Sequence, residues 1–196
     1  MIHFYFDFTS PYSYIAAQWL PKLAAAHEHQ VAWHPVLLGA IFKEVGNQSP
    51  VSFKLKDSYS VMDFARSARF EGVEYQQPVQ FPVASQNAAR IFLWLQGSHP
   101  ERALSWAQEV WRAYFVRGEN ISDAMTLLKL AQSFGLDGGE AQEVVADDTI
   151  KALLKQSNED ALAAGVFGAP FFIVDGERFW GNDRKAQLAA FLSSRA

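Results

Sequence analysis

Strand-forming sequence is confined to the two ends of this chain of 196 residues, and the long middle is helical. The strand-like segments are IHFYFDF at 2–8, VAWHPVLL at 31–38 and FFIV at 171–174. Between the second and the third of these segments, apolar residues recur at helical spacing and no strand pattern interrupts them. Any sheet must therefore form from segments far apart in the sequence, with a block of helices between them.

The strand-like segments lie in a recognisable order. Residues 11–27 have the apolar spacing of an amphipathic helix, so the N-terminal part predicts a β-α-β unit with a right-handed crossover. Pro35 lies within the second strand, which places that strand at an edge of the sheet. Asp175-Gly176 favours a type I′ hairpin turn after the third strand, because both turn positions need a positive φ. A helix over 183–193 is predicted to follow, giving β-β-α.

The middle of the chain is predicted to form helices joined by loops. Residues 41–52 contain Gly, Asn and Pro, which favours a connection without regular structure. Helical stretches are then predicted over 54–70, 85–96, 101–117, a segment capped by Ser122-Asp123, 139–146 and 148–164. The predicted fold class is therefore α/β, with one domain formed by 1–40 and 161–196 and an all-helical insertion domain over 41–160.

Composition excludes several kinds of chemistry. The chain has no cysteine, so it forms no disulfide, supplies no thiolate nucleophile and offers no sulfur ligand to zinc. Its five histidines show neither an HExxH motif nor a pair four residues apart, which argues against a metal site. A net charge of -4 gives no reason to expect nucleic acid or an anionic membrane as partner. With no long apolar run and no basic leader, we expect a cytoplasmic protein.

Two prolines mark the positions where chemistry is expected. Ser10-Pro11 begins the first helix, and Ala169-Pro170 directly precedes the third strand. A β-α-β unit followed by β-β-α, with an X-Pro before the third strand, is the plan of a thioredoxin-like domain. In that fold the first helix carries the reactive group at its N-terminus, and the proline is cis and faces it. From this short motif alone, an ordinary N-cap at Ser10 followed by Pro11 as the first helical residue is the favoured interpretation.

Three motifs resemble those of a known family. SPYSYIA at 10–16, FGAP at 167–170 and WGNDR at 180–184 resemble the 2-hydroxychromene-2-carboxylate isomerases, which belong with the kappa-class glutathione transferases in the DsbA-type branch of thioredoxin-like proteins. The resemblance covers essentially the whole chain. It implies a homodimeric, glutathione-dependent isomerase that interconverts 2-hydroxychromene-2-carboxylate and trans-o-hydroxybenzylidenepyruvate, or a related aromatic substrate, by reversible thiolate addition.

The resemblance implies that Ser10 lies beside the sulfur of glutathione. A free thiol with a pKa of about 8.5 is only a few per cent thiolate at pH 7. A hydroxyl that donates to the thiolate lowers this pKa by about one to two units. The N-terminus of the helix adds a smaller effect of the same sign.

Further residues are implied to bind glutathione or substrate. The backbone of Ala169 beside a cis Pro170 would pair with the cysteinyl part of glutathione. Lys43 would hold the carboxylate of the substrate. The residues of the last motif, Trp180, Gly181, Asn182 and Asp183, would bind the γ-glutamyl end of glutathione. Asn182 would be the helix N-cap beside the γ-glutamyl carboxylate, and Asp183 would accept from the ammonium group. A plain tight turn and ordinary helix capping remain the alternatives.

Four positions depart from the family pattern. Ser52 and Phe53 stand where the isomerases carry Asn-Arg, Ser85 where they carry tyrosine, and Phe171 where they carry threonine. The glutathione half of the site is therefore matched better than the substrate half. Two other functions stay open: a kappa-like glutathione transferase that conjugates electrophiles, and a non-catalytic thioredoxin-like module that binds a peptide.

Overall fold

Four strands form one mixed sheet, as the sequence predicts. A computed structural model describes residues 1–48 and 54–195, and describes 54–57 by their backbone alone. The strands are β1 (Ile2–Phe6), β2 (Val31–Pro35), β3 (Phe171–Val174) and β4 (Glu177–Trp180). Their order is β2-β1-β3-β4, with β1 parallel to β2 and antiparallel to β3, and β3 antiparallel to β4. The proline-terminated β2 lies at an edge, because it lacks the ladder donor that an inner strand needs.

Helices make up the rest of the described structure. They are α1 (Pro11–Ala26), α2 (Leu38–Glu44), α3 (Lys54–Glu71), α4 (Gln86–Ser98), α5 (Pro100–Phe115), α6 (Ala124–Ser133), α7 (Gly138–Ala146), α8 (Asp148–Ala163) and α9 (Lys185–Ser193). Most begin and end within a few residues of the predicted positions. In the part of the chain that the structure describes, none is long and apolar enough to cross a membrane.

Helix α2 is the exception, because it occupies part of the segment that was expected to lack regular structure. That expectation was wrong for a physical reason. Its N-cap residue Leu37 has no side chain that could accept a hydrogen bond, so no local capping signal exists. The amide of Leu38 instead donates to the carboxylate of Asp7, 31 positions earlier, at 2.7 Å.

The core joins the sheet to the helical block. Phe6 of β1 packs against Phe92 of α4 and Trp111 of α5, with ring-centroid distances of 5.3 and 5.1 Å. On the opposite face of the sheet, Tyr5 belongs to a smaller cluster with Ala161 of α8. The sheet is therefore covered on both faces, and the division into two domains at residues 40 and 161 stays a prediction.

The β3–β4 hairpin places the ends of two predicted motifs side by side. Asp175 and Gly176 have φ values of 48° and 83°, which confirms the predicted turn chemistry. The Gly181 amide donates to the carbonyl of Pro170 at 3.0 Å. The proline motif and the motif after β4 therefore face a common space.

Candidate active site

A cavity of about 910 Å³ opens at the N-terminal ends of three helices. It is lined by the first residues of α1, α2 and α4, by one side of α3, and by the segments flanking the β3–β4 hairpin. The structure thus brings together all seven residues that the resemblance assigns to glutathione: Ser10, Ala169, Pro170, Trp180, Gly181, Asn182 and Asp183. Their roles toward a ligand stay predictions.

Ser10 is both a helix cap and a wall of the cavity. Its oxygen accepts from the Ser13 amide at 3.1 Å, and its hydroxyl donates to the carbonyl of Ala169 at 3.3 Å. The two roles left open by the sequence therefore coexist, because capping uses the oxygen and leaves the proton free to donate elsewhere. The side chain is buried, so capping fixes where that proton can reach.

Two backbone donors beside Ser10 have no acceptor among the described residues. Pro11 carries no N–H, so Tyr12 supplies the first free amide of α1, and this amide makes no hydrogen bond there. The Ala169 amide is likewise free, and the Ala169-Pro170 bond is cis, as predicted. Both donors border the cavity and are available to an anionic or peptide-like ligand.

Glycines allow the backbone on the hairpin side to come close to its neighbours. A Cβ on Gly168 would lie 2.6 Å from Nε1 of Trp180. Gly181 has a φ of 109°, and a Cβ there would collide with the carboxylate of Asp183. Any larger residue would therefore displace side chains that line the cavity.

Asn182 lies at the cavity but does not cap a helix, so that prediction was wrong. It begins a short 3-10 turn over Asn182–Arg184, whose cap residue is Gly181. The side chain of Asn182 is buried, and its Oδ1 accepts from the indole Nε1 of Trp19 at 2.8 Å. The Asn182 oxygen that was predicted to cap a helix therefore accepts from Trp19 of α1 instead.

Asp183 is an exposed acid at the mouth of the cavity. Its carboxylate pairs with Arg184 at 3.0 Å, and 73% of its side chain is accessible. An exposed pair of this kind contributes little to stability, so the carboxylate remains available to a ligand ammonium group.

A tyrosine and a carboxylate link α1 to α3 across the wall of the cavity. The Tyr12 hydroxyl donates to Oδ2 of Asp63 at 2.5 Å, and Arg66 donates to Oδ1 at 3.0 Å. Burial, together with the Asp63 carboxylate, raises the pKa of Tyr12 above that of a free phenol. Tyr12 therefore stays protonated and acts as a donor rather than a base.

The residues assigned to the substrate half are placed less favourably. Lys43 is exposed in the last turn of α2 and does not line the cavity, so its role stays a prediction. Ser52 and Phe53 lie outside the described residues. Phe171 is buried in β3, with its ring 5.3 Å from that of Phe167.

Asp7 is a cavity-lining residue whose role the sequence did not reveal. Its carboxylate is buried and accepts from Thr9, Leu38 and Ser85. Burial raises the pKa of Asp7, and these hydrogen bonds oppose the rise. The available signal was an acid inside an apolar strand segment, which demands buried partners.

Comparisons with known proteins agree with this geometry. A family model described as a DSBA-like thioredoxin domain matches residues 1–193. The 2-hydroxychromene-2-carboxylate isomerase of Sphingobium xenophagum is 30% identical over 193 residues, covering 97% of each chain. Glutathione S-transferase kappa 1 of Caenorhabditis elegans is 30% identical over 206 residues, covering 97% of this chain and 90% of that one. A solved 2-hydroxychromene-2-carboxylate isomerase has the same fold, with a TM-score of 0.89 at 24% identity over 98% of this chain and 94% of that one.

Proposed function

Because the chain belongs to the DSBA-like thioredoxin domain family, we propose that it is a glutathione-dependent isomerase resembling 2-hydroxychromene-2-carboxylate isomerase. It would interconvert 2-hydroxychromene-2-carboxylate and trans-o-hydroxybenzylidenepyruvate, or a related aromatic substrate. The observation that carries the proposal is the buried Ser10 hydroxyl, which faces the Ala169 backbone inside the cavity of a chain without cysteine. Such a site can hold a thiol but cannot supply one.

The residues around the cavity fit glutathione. The free Ala169 amide offers a donor to the cysteinyl backbone, and the free Tyr12 amide lies at the positive end of α1. Asp183 offers a carboxylate to the γ-glutamyl ammonium group. Gly168 and Gly181 leave room for these contacts, since a Cβ at either position would collide with a neighbouring side chain.

The protein's own part in the reaction is to hold a sulfur as thiolate. Ser10 would turn its proton from the Ala169 carbonyl to the sulfur, while its oxygen keeps the cap bond to Ser13. Bound glutathione would supply a thiolate that adds to the conjugated double bond, frees it to rotate, and departs. The α1 dipole lowers the cost of the negative charge.

The apolar part of the cavity lining suits a ring-containing substrate. Aromatic and aliphatic side chains from four segments line it, chiefly Leu37, Phe42, Phe64, Phe81 and Val83. Ring faces and edges there would position an aromatic substrate against the sulfur.

Calorimetric titration tests the proposal directly. Glutathione should bind, and S-methylglutathione should bind more weakly because it cannot form the thiolate that Ser10 would stabilise. No detectable binding of glutathione at millimolar concentration would refute the proposal. Capture of a peptide partner without glutathione affinity would support the non-catalytic binding module instead.

A kappa-like glutathione transferase is the second candidate. The substrate half of the site favours neither reaction by itself, since Lys43 does not line the cavity and Ser85 donates its hydroxyl to Asp7. Assay with a chromogenic aryl halide distinguishes the two reactions, because conjugation consumes free thiol and isomerisation does not. The cytoplasmic location and the homodimer remain predictions that cell fractionation and light scattering can test.

A further inference from the structure

Asp7 connects three separate segments of the cavity wall through four hydrogen bonds. Its Oδ1 accepts from the Thr9 amide at 2.8 Å, the Thr9 hydroxyl at 3.0 Å and the Ser85 hydroxyl at 2.8 Å. Its Oδ2 accepts from the Leu38 amide at 2.7 Å. These donors stand at or beside the N-terminal ends of α1, α2 and α4, and all of these residues line the cavity.

Ser85 makes its hydrogen bond to Asp7 instead of the capping bond that its position at the start of α4 favours. It occupies the N-cap position of α4, where a serine oxygen ordinarily accepts from an amide of the first turn. Here its side chain makes no capping bond, and its hydroxyl donates to Asp7 instead. The serine that departs from the family pattern therefore holds Asp7 rather than capping its own helix.

Helix α2 depends on the same carboxylate. Its N-cap residue makes no side-chain capping bond, and Asp7 takes the amide of its first residue, Leu38. The first residues of α2, from Leu38 to Ala40, line the same cavity as the residues assigned to glutathione. Losing the bond from Leu38 would leave the Leu37 amide, which donates to Asn158 Oδ1 at 2.8 Å, as a remaining side-chain anchor at the start of α2. The bonds of Ser10 to Ser13 and Ala169 do not involve α2 and would stay in place.

From these contacts we propose that Asp7 is a positioning residue, which holds the first turns of α2 and α4 in the shape that receives the group attached to the glutathione sulfur. This inference rests on the proposed function. Asp7 need not touch the substrate, because it acts through Leu38 and Ser85.

The variant Asp7→Asn isolates the bond to α2. Three of the four donors converge on Oδ1, so the asparagine carbonyl will take that place and its NH₂ will face the Leu38 amide. Two donors then face each other, and the start of α2 must shift. Asp147→Asn is the matched control, since Asp147 also accepts two helix-starting amides, at 2.7 and 3.0 Å, but does not line the cavity.

Calorimetry with two probes, glutathione and S-hexylglutathione, gives the first readout. In Asp7→Asn we expect the Kd of S-hexylglutathione to rise about tenfold, the effect of one hydrogen bond to a charged group. The Kd of glutathione should change less than about twofold, because none of the residues assigned to it belongs to α2 or α4. Asp147→Asn should change neither value. Unchanged S-hexylglutathione binding in Asp7→Asn, or an equal loss in Asp147→Asn, overturns the proposal.

Amide hydrogen exchange over residues 36–44 gives a second readout that needs no ligand. Exchange should accelerate in Asp7→Asn and not in Asp147→Asn, and equal protection in both overturns the proposal. If the wild-type protein binds neither probe, the proposed function fails, while hydrogen exchange still decides whether Asp7 holds the start of α2 in place. If Asp7→Asn does not fold, Ser85→Ala provides the test, because it removes only one of the four donors to the Asp7 carboxylate. A rise of about two- to threefold in the Kd of S-hexylglutathione then supports the proposal, and no change overturns it.

Discussion

On the proposed function, replacing Ser10 with alanine should raise the pKa of the glutathione thiol in the complex. In the structure the Ser10 hydroxyl donates to the neutral Ala169 carbonyl at 3.3 Å. Its net value to the thiolate is therefore the difference between a charge-assisted bond of about 1.5 to 3 kcal/mol and a neutral one of about 0.5 to 1.5 kcal/mol. That difference, about 1 to 1.5 kcal/mol, corresponds to about one pKa unit.

The α1 dipole is unaffected by this substitution, so part of the thiolate stabilisation should survive. Ultraviolet absorbance of the bound thiolate against pH measures the pKa directly. Ser10→Thr keeps the hydroxyl and should stay close to the wild type.

Loss of the helix cap must be separated from loss of the donor. Ser10→Ala also removes the bond from the Ser13 amide, which should lower the free energy of unfolding by about 1 kcal/mol. Asp123→Ala removes a comparable cap from α6, where Asp123 accepts from the Thr126 amide at 2.9 Å. It should lose similar stability without moving the thiol pKa. A bound thiol with the same pKa in Ser10→Ala and the wild type would refute the reasoning and would leave the free Tyr12 amide as the stabilising group.

Three further results are expected. Gly168→Ala should displace the Trp180 ring and weaken glutathione binding in calorimetry, because its Cβ would lie 2.6 Å from the indole nitrogen; Gly97→Ala, with open space around it, should bind normally. Trp19→Phe should lower the free energy of unfolding in urea by about 1 to 3 kcal/mol, since it leaves a buried amide oxygen without its 2.8 Å donor. Burial lowers the pKa of His34 to about 4, so the unfolded chain binds a proton first and stability should fall as the pH drops from about 6.5 toward 4. This loss should be at most about 1.4 kcal/mol per pH unit, and His34→Gln should flatten it, whereas an unchanged slope in urea titrations would contradict the assignment.

Local signals predicted most of the fold. The Asp-Gly turn at 175–176 is determined by the two residues that adopt a positive φ. Pro35 has no amide N–H to donate, which favours an edge position for its strand. Helices with a strong local cap, such as the one begun by Asp123, were predicted close to their observed ends. In each case the residues that determine the structure are neighbours in the sequence.

The predictions that were wrong concern residues whose hydrogen-bond partners lie far away in the sequence. The first amide of α2 donates to the carboxylate of Asp7, 31 positions earlier. The side-chain oxygen of Asn182 accepts from the indole of Trp19, 163 positions away. The sequence assigned no role to Asp7, because two of its partners, Leu38 and Ser85, lie far along the chain. No pattern of spacing reveals such pairings, so the sequence predicted which residues reach the cavity better than it predicted what holds them there.

The position of β1 inside the sheet has a consequence for biosynthesis. One edge of β1 pairs with β2 soon after it, but the other edge must wait for β3, which begins at Phe171. At roughly 5 to 20 residues per second, a ribosome needs several seconds to make the intervening helices. During that time a nascent chain carries an open, aromatic strand edge and Ser10 without Ala169 opposite it. The pocket around Ser10 is thus completed only after β3 has been made, and until then the exposed edge of β1 is a place where a nascent chain can pair wrongly.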